Sequence, residues 1–77
     1  MVKRRNIAGE RIRLARISEK PPATQKDISA RLEIIGVTLS DSAIGKIEHG
    51  TSAVSDLQVI AFAKVLKVTA AWLMQEE

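Results

Sequence analysis

Side chains able to do covalent or metal chemistry are scarce in this sequence. It has no Cys, hence no thiolate nucleophile or Cys-rich zinc site, and its one His, His49, has no partner at a metal-binding or catalytic spacing. The predicted helices bring together no Ser-His-acid or paired-carboxylate grouping, and no glycine-rich phosphate loop occurs. We therefore expect a protein that is not an enzyme and uses no metal, cofactor or small-molecule ligand. The chemistry left to it is noncovalent recognition.

Positive charge gathers at the amino-terminal end. Residues 1–20 contain seven Lys or Arg and two acidic residues, a net of +5, whereas 21–50 and 51–77 each come to −1. A basic end on a near-neutral body favours a polyanionic partner such as nucleic acid or an anionic membrane surface. A solvated basic tail is the alternative interpretation. Residues 1–5, with Arg4 and Arg5, are called the basic arm below.

Length and composition limit the architecture to one domain. The chain has 77 residues, of which 45% are apolar and 27% charged, so we expect a single folded domain over 1–77. No run approaches the ~20 apolar residues of a membrane span, and no apolar targeting segment follows the basic start. Because small domains without disulfides are typical of reducing compartments, we expect a cytoplasmic protein with no membrane partner.

Pro and Gly residues divide the chain into helix-sized segments. No segment alternates with period 2 for long enough to form a strand, so the sequence predicts an all-α fold of five short helices. Ser and Thr residues give the start signals of the middle helices, and Gly residues give the stops. The starts are Thr24, Ser40 with Thr38 as a rival, and Ser55 with Gln58 at capping-box spacing; the stops are Gly36 and Gly50. The predicted helices are about 6–18, 25–35, 41–49, 56–66 and 70–75.

The second and third predicted helices are joined by a turn of about four residues containing Gly, which is a helix-turn-helix arrangement. A version that reads DNA needs a second helix with a small or polar outward face, because this helix enters a major groove ~12 Å wide. With Ile44 and Ile47 assigned to the core, helix 41–49 presents such a face. An ordinary solvated helix pair is the alternative. The outward residues are Asp41, Ser42, Gly45, Lys46 and His49.

An ordered set of short motifs runs from about residue 7 to residue 74. It comprises Gly9-Glu10-Arg11-Ile12-Arg13, Arg16, Thr24-Gln25, Ile28, Leu32, Gly36-Val37, Ile44, Lys46-Ile47-Glu48-His49-Gly50, Ala63, Leu66 and Val68-Thr69-Ala70-Ala71-Trp72-Leu73. This set resembles the phage Cro and repressor type helix-turn-helix family, also called the XRE family. The resemblance implies a lambda-repressor-like fold and a transcriptional regulator that binds double-stranded DNA, as a dimer, at an inverted-repeat operator.

The resemblance also implies roles for individual residues. Bases would be read by Asp41, Ser42, Gly45 and Lys46, of which Lys46 suits guanine and Asp41 suits cytosine. Asp41 as a first-turn acid that stabilises the helix dipole is the alternative. Phosphate contacts are expected from Arg16, Gln25, Ser40 and His49, and the positive charge of the basic arm adds Arg4 and Arg5. A solvated Gln25, a purely capping Ser40 and a plain surface His49 remain open.

Two further expectations concern helix positions and spacing. In the family an ion pair between Arg16 and Glu48 ties the first helix to the end of the third; two independent surface charges are the alternative. The interval from Leu32 to Ile44 is twelve positions, several longer than the family's common pattern. We expect the extra residues to lengthen the second helix by about a turn and to widen the connection.

The fourth predicted helix has only three polar residues among eleven. Ile60, Ala63 and Leu66 are assigned to the core, and Trp72 is expected to be a core residue of the last helix. This leaves a second apolar stripe without cover inside the monomer, which predicts a homodimer interface. An antitoxin that uses the stripe to bind a toxin is the alternative function. The stripe is Leu57, Ala61 and Val65.

Overall fold

Five α-helices follow one another along the chain, joined by short links. The computed structural model describes residues 5–76, so Arg4, an expected phosphate contact, lies outside the described residues. No strand occurs within 5–76, and the predicted all-α class is confirmed. No helix in this part of the chain is long and apolar enough to span a membrane. The helices are α1 (Gly9–Ile17), α2 (Gln25–Ile34), α3 (Asp41–His49), α4 (Asp56–Leu66) and α5 (Ala70–Leu73).

Side-chain caps define most helix starts, as the sequence predicts. Thr24 and Asp27 form a reciprocal capping box at α2. In it the backbone N–H of Asp27 donates to the Thr24 hydroxyl at 3.0 Å. Ser40, and not Thr38, caps α3 by accepting from the backbone N–H of Ala43 at 3.1 Å. Ser55 and Gln58 form the expected box at α4. Such a cap typically contributes about 1 kcal/mol.

The first and last helices are shorter than predicted. The α1 helix begins at Gly9 instead of residue 6, because the side-chain oxygen of Asn6 accepts from the Gly9 backbone N–H at 2.7 Å and Asn6 lies outside the helix. The α5 helix ends at Leu73, and Gln75 adopts a left-handed conformation with φ of 61°, which cannot continue an α-helix.

One core connects the helices. The α3 helix packs on α1 and α2, and α4 packs on α1, α2 and α5. Trp72 is half-buried against this core and not fully inside it, and the Arg11 guanidinium lies 5.0 Å from its ring centroid. The largest fully buried side chains are Phe62, Ile12, Ile28, Leu32, Ile44 and Leu73.

Two apolar residues of α4 lie on the opposite side from their prediction. Ala61 is only 5% exposed, so it belongs to the core and not to the expected dimer stripe, whereas Ile60 is 46% exposed and lies outside the core. Ile35, which follows the last residue of α2, is 45% exposed. Because apolar residues lie on nearly every side of α4, the sequence pattern does not specify which side faces the core, and packing against the other helices decides it.

Two carboxylates near the start of α2 are stabilised in their charged form. The guanidinium of Arg31 donates two hydrogen bonds of 2.8 Å to Glu19, and these bonds hold the pKa of Glu19 below its ordinary value of 4.5. The backbone N–H and the hydroxyl of Thr24 lower the pKa of Asp27 below 3.8. Both groups favour the folded state at neutral pH.

Candidate nucleic-acid interface

The outward face of α3 is polar, as the sequence predicts. Ile44 is 0% and Ile47 2% exposed, which places both in the core and turns the other side of the helix outward. Four of the five residues expected on that side are exposed; Gly45 is the exception and is half-buried. The four exposed residues are Asp41, Ser42, Lys46 and His49.

An ion pair anchors α3 to α1. The Nε and Nη2 atoms of Arg16 donate to the two carboxylate oxygens of Glu48, each at 2.8 Å, and Nη1 donates to the backbone carbonyl of Ala23 at 2.9 Å. The expected pair is therefore present, and the hydrogen bonds from Glu48 raise the pKa of Arg16. The Arg16 side chain is 13% exposed and that of Glu48 2%. All three nitrogens donate within the protein, but a guanidinium has five N–H donors, so the expected Arg16 phosphate contact stays a prediction.

Gln25 faces α3. Its Nε2 donates to Oε1 of Glu48 at 3.1 Å, so the amide joins the cluster formed by Arg16 and Glu48. A Cβ atom at Gly45 would lie 3.3 Å from the same Nε2. The side of Gly45 on which a side chain would stand thus faces Gln25 of α2, and the expected base-reading role of Gly45 stays a prediction. The amide nitrogen of Gln25 has a second N–H, so the expected phosphate contact of Gln25 also stays a prediction.

The residues just after the basic arm are attached to the carboxyl end of α3. Asn6 donates from Nδ2 to the backbone carbonyls of Ile47, at 3.1 Å, and Ser52, at 2.7 Å. The backbone N–H of Arg5 donates to the Gly50 carbonyl at 2.8 Å. Arg5, the last residue of the basic arm, therefore lies at the carboxyl end of α3 and is exposed. The role of Asn6 was not predictable from a local pattern, since its partners are 41 and 46 positions away in the sequence.

The connection between α2 and α3 is a short turn. The α2 helix ends at Ile34, one residue before its predicted end, and residues 35–40 form the link; that α2 is longer than in the family stays a prediction. Gly36 has a φ of 83°, a left-handed conformation that favours glycine. The backbone N–H of Val37 donates back to the carbonyl of Leu32 at 2.9 Å. This link is a bonded turn that delivers Ser40 as the cap of α3.

An apolar patch lies on a different surface, along α4. Leu57 is 74% exposed and Ile60 46% exposed, and Val65 is half-buried. Beside them a cavity of about 230 Å³ lies between α4 and α5, with Val59, Ile60 and Met74 among its lining residues. We call Leu57, Ile60 and this cavity the α4 patch. It contains Leu57 of the predicted stripe but not Ala61.

Within residues 5–76, no three His, Cys, Asp or Glu side chains are grouped to hold a metal ion. Comparisons of the chain with protein-family models, with curated proteins and with solved structures find no match.

Proposed function

We propose that the protein is a sequence-specific DNA-binding transcriptional regulator with a lambda-repressor-like helix-turn-helix domain, acting in the cytoplasm. One observation carries this proposal: α3 has a continuous polar exposed face while its other side is fixed to the core by Ile44, Ile47 and the Arg16–Glu48 pair. A helix that reads bases needs both properties, since its side chains must reach base edges from a rigid support.

The chemistry of the exposed face suits base edges in the major groove. The ammonium group of Lys46 can donate to guanine O6 and N7, the Ser42 hydroxyl can donate or accept, and the Asp41 carboxylate can accept from cytosine N4. The face contains no Arg, Asn or Gln, the residues that make two parallel bonds to a base. We therefore expect modest discrimination per half-site.

Phosphate contacts would flank this face. Arg5 is exposed at the carboxyl end of α3, and His49 is exposed on α3 itself. At the other end, Ser40 caps the helix with its hydroxyl, and its phosphate role is secondary to that cap. Because each neutralised phosphate releases counterions, the logarithm of the affinity should fall with the logarithm of salt concentration by roughly 0.9 per phosphate.

The α4 patch supports a homodimer as the form that binds DNA. Leu57 and Ile60 expose apolar surface that one small domain leaves in water, and burying it against a second copy would be favourable. A two-fold axis through this patch would present two copies of α3 to one duplex. The operator is then an inverted repeat with ~34 Å between half-site centres.

The same patch favours a second candidate function, an antitoxin that binds a partner protein. Apolar exposed residues on α4 would serve a heterologous partner as well as a second copy of the chain. Co-purification with a neighbour-encoded protein that is released by a charge at Leu57 would favour this candidate.

Selection of bound sequences from a random duplex pool tests the leading proposal. Wild-type protein should enrich an inverted repeat, and Lys46→Ala should enrich a motif that is relaxed at one position in each half-site. Enrichment of no sequence by wild-type protein would contradict the proposal and leave the antitoxin candidate.

A further inference from the structure

Gly45 occupies an unfavourable position for a glycine. It lies in the middle of α3, where Gly destabilises a helix relative to Ala because its backbone loses more conformational freedom on folding. Its backbone is helical, without a positive φ, so no special backbone conformation requires a glycine there. The space beside Gly45 is a second property that can favour a glycine.

That space is occupied by the amide group of Gln25. A Cβ at position 45 would lie 3.3 Å from Nε2, 3.4 Å from Oε1 and 3.6 Å from Cδ of Gln25. The first of these distances is tighter than ordinary van der Waals contact between carbon and nitrogen, so either Gln25 or α3 would have to move by a few tenths of an ångström.

The amide of Gln25 is held where it lies. Its Nε2 donates to Oε1 of Glu48 at 3.1 Å, and Glu48 is itself fixed by two bonds from Arg16. A side chain at position 45 would therefore strain the Gln25–Glu48 hydrogen bond or displace α3 away from α2.

We propose that Gln25 is a positioning residue that sets the separation and tilt of α3 relative to α2, and that Gly45 is the position that lets its amide lie against α3. This inference rests on the proposed DNA-binding function, because the tilt of α3 decides how Lys46 meets a base edge. It replaces the phosphate role of Gln25 and the base-reading role of Gly45.

The positioning role has a consequence that a phosphate contact lacks. Losing a phosphate contact weakens binding to selected and unrelated duplexes alike, because phosphates carry no sequence information. Losing the correct tilt weakens the selected duplex more, because only base contacts depend on it. Gln25→Ala should therefore lower the ratio of the two affinities, by about tenfold.

A double-mutant cycle tests the proposal with four full-length proteins: wild type, Gly45→Ala, Gln25→Ala and the double variant. Each is titrated with the duplex that wild type selects from a random pool and with a scrambled duplex of equal length. Gly45→Ala should lower the affinity ratio about tenfold in the presence of the Gln25 side chain and by less than about twofold in its absence. Equal factors in the two backgrounds would overturn the proposal.

Urea unfolding of the same four proteins separates this inference from the proposed function. If wild type selects no sequence, the proposed function fails, and the positioning contact is judged from unfolding alone. Gly45→Ala should then change the unfolding equilibrium constant by one factor in the protein with Gln25 and by another in the Gln25→Ala protein. The two factors should differ at least about threefold. Equal factors there would show that Gln25 and Gly45 act independently and would overturn the contact itself.

Discussion

Replacing Glu48 by alanine should lower the free energy of unfolding by about 3–5 kcal/mol, the range for breaking a buried ion pair from one side. Glu48 is 4% exposed, and both of its oxygens accept from Arg16, so the substitution removes two charge-assisted bonds and the bond from Gln25. The Arg16 charge stays in a largely buried position with only the Ala23 carbonyl as acceptor. That unpaired charge is the main cost.

The loss is large for a chain of this size. At ~0.05–0.15 kcal/mol per residue, 77 residues give an unfolding free energy of about 4–12 kcal/mol. Urea denaturation followed by far-ultraviolet circular dichroism measures the change directly. A loss below about 1 kcal/mol, the range of exposed ion pairs, would refute the reasoning.

Two variants identify the cause of the Glu48→Ala effect. Glu48→Gln keeps the size of the side chain but removes its charge, so its loss should lie between zero and that of Glu48→Ala. Replacing both partners with apolar residues, Arg16→Met with Glu48→Leu, leaves no buried charge and should recover most of the stability. If the double variant were less stable than Glu48→Ala, the unpaired Arg16 charge could not be the cause.

Three further outcomes are expected. Leu57→Glu should abolish the dimer in sedimentation while retaining helix content, and Ile34→Glu, a matched change at a side chain 85% exposed outside the α4 patch, should leave the dimer intact; equal behaviour of the two would argue against this interface. Because the folded-state pKa of Glu19 is lowered, Glu19 adds to the free energy of unfolding above pH 4.5, and this stabilisation is lost as the pH falls through the folded pKa. Glu19→Gln should therefore weaken the fall of stability at acid pH in a curve of unfolding free energy against pH. An unchanged acid limb of that curve would contradict this. Lys46→Ala should cost ~1–3 kcal/mol of discrimination at one base pair per half-site, measured by titrating single-substitution duplexes, and a uniform loss across them would instead make Lys46 a phosphate contact.

The helix starts were predictable because their signals are local. A cap needs a hydroxyl at one position and a free backbone N–H three residues later, and Ser40 and Ser55 meet that requirement within a few residues of sequence. Gly50 ends α3 with a φ of 80°, again a local property. These features depend little on the rest of the fold.

The orientation of α4 and the inner face of the site were less predictable. Apolar residues on most sides of α4 give no single periodic face, and only packing against α1, α2 and α5 decides that Ala61 is buried and Ile60 is not. The Arg16–Glu48 pair was expected through a family resemblance, since nothing local joins residues 32 positions apart. The contact of Gln25 with Gly45 depends on how two helices cross, which the sequence pattern does not specify.

The ratio of affinities for the selected duplex and for a scrambled duplex, measured at physiological salt, tests the central claim most directly. Specific DNA-binding proteins typically prefer their site at least ~10³-fold, and the sparse reading face of α3 places our expectation at the lower end of that range. The preference should disappear when Asp41, Ser42 and Lys46 are all replaced by alanine, with helix content unchanged. A wild-type ratio near one, or a preference that survives the triple substitution, would contradict the account.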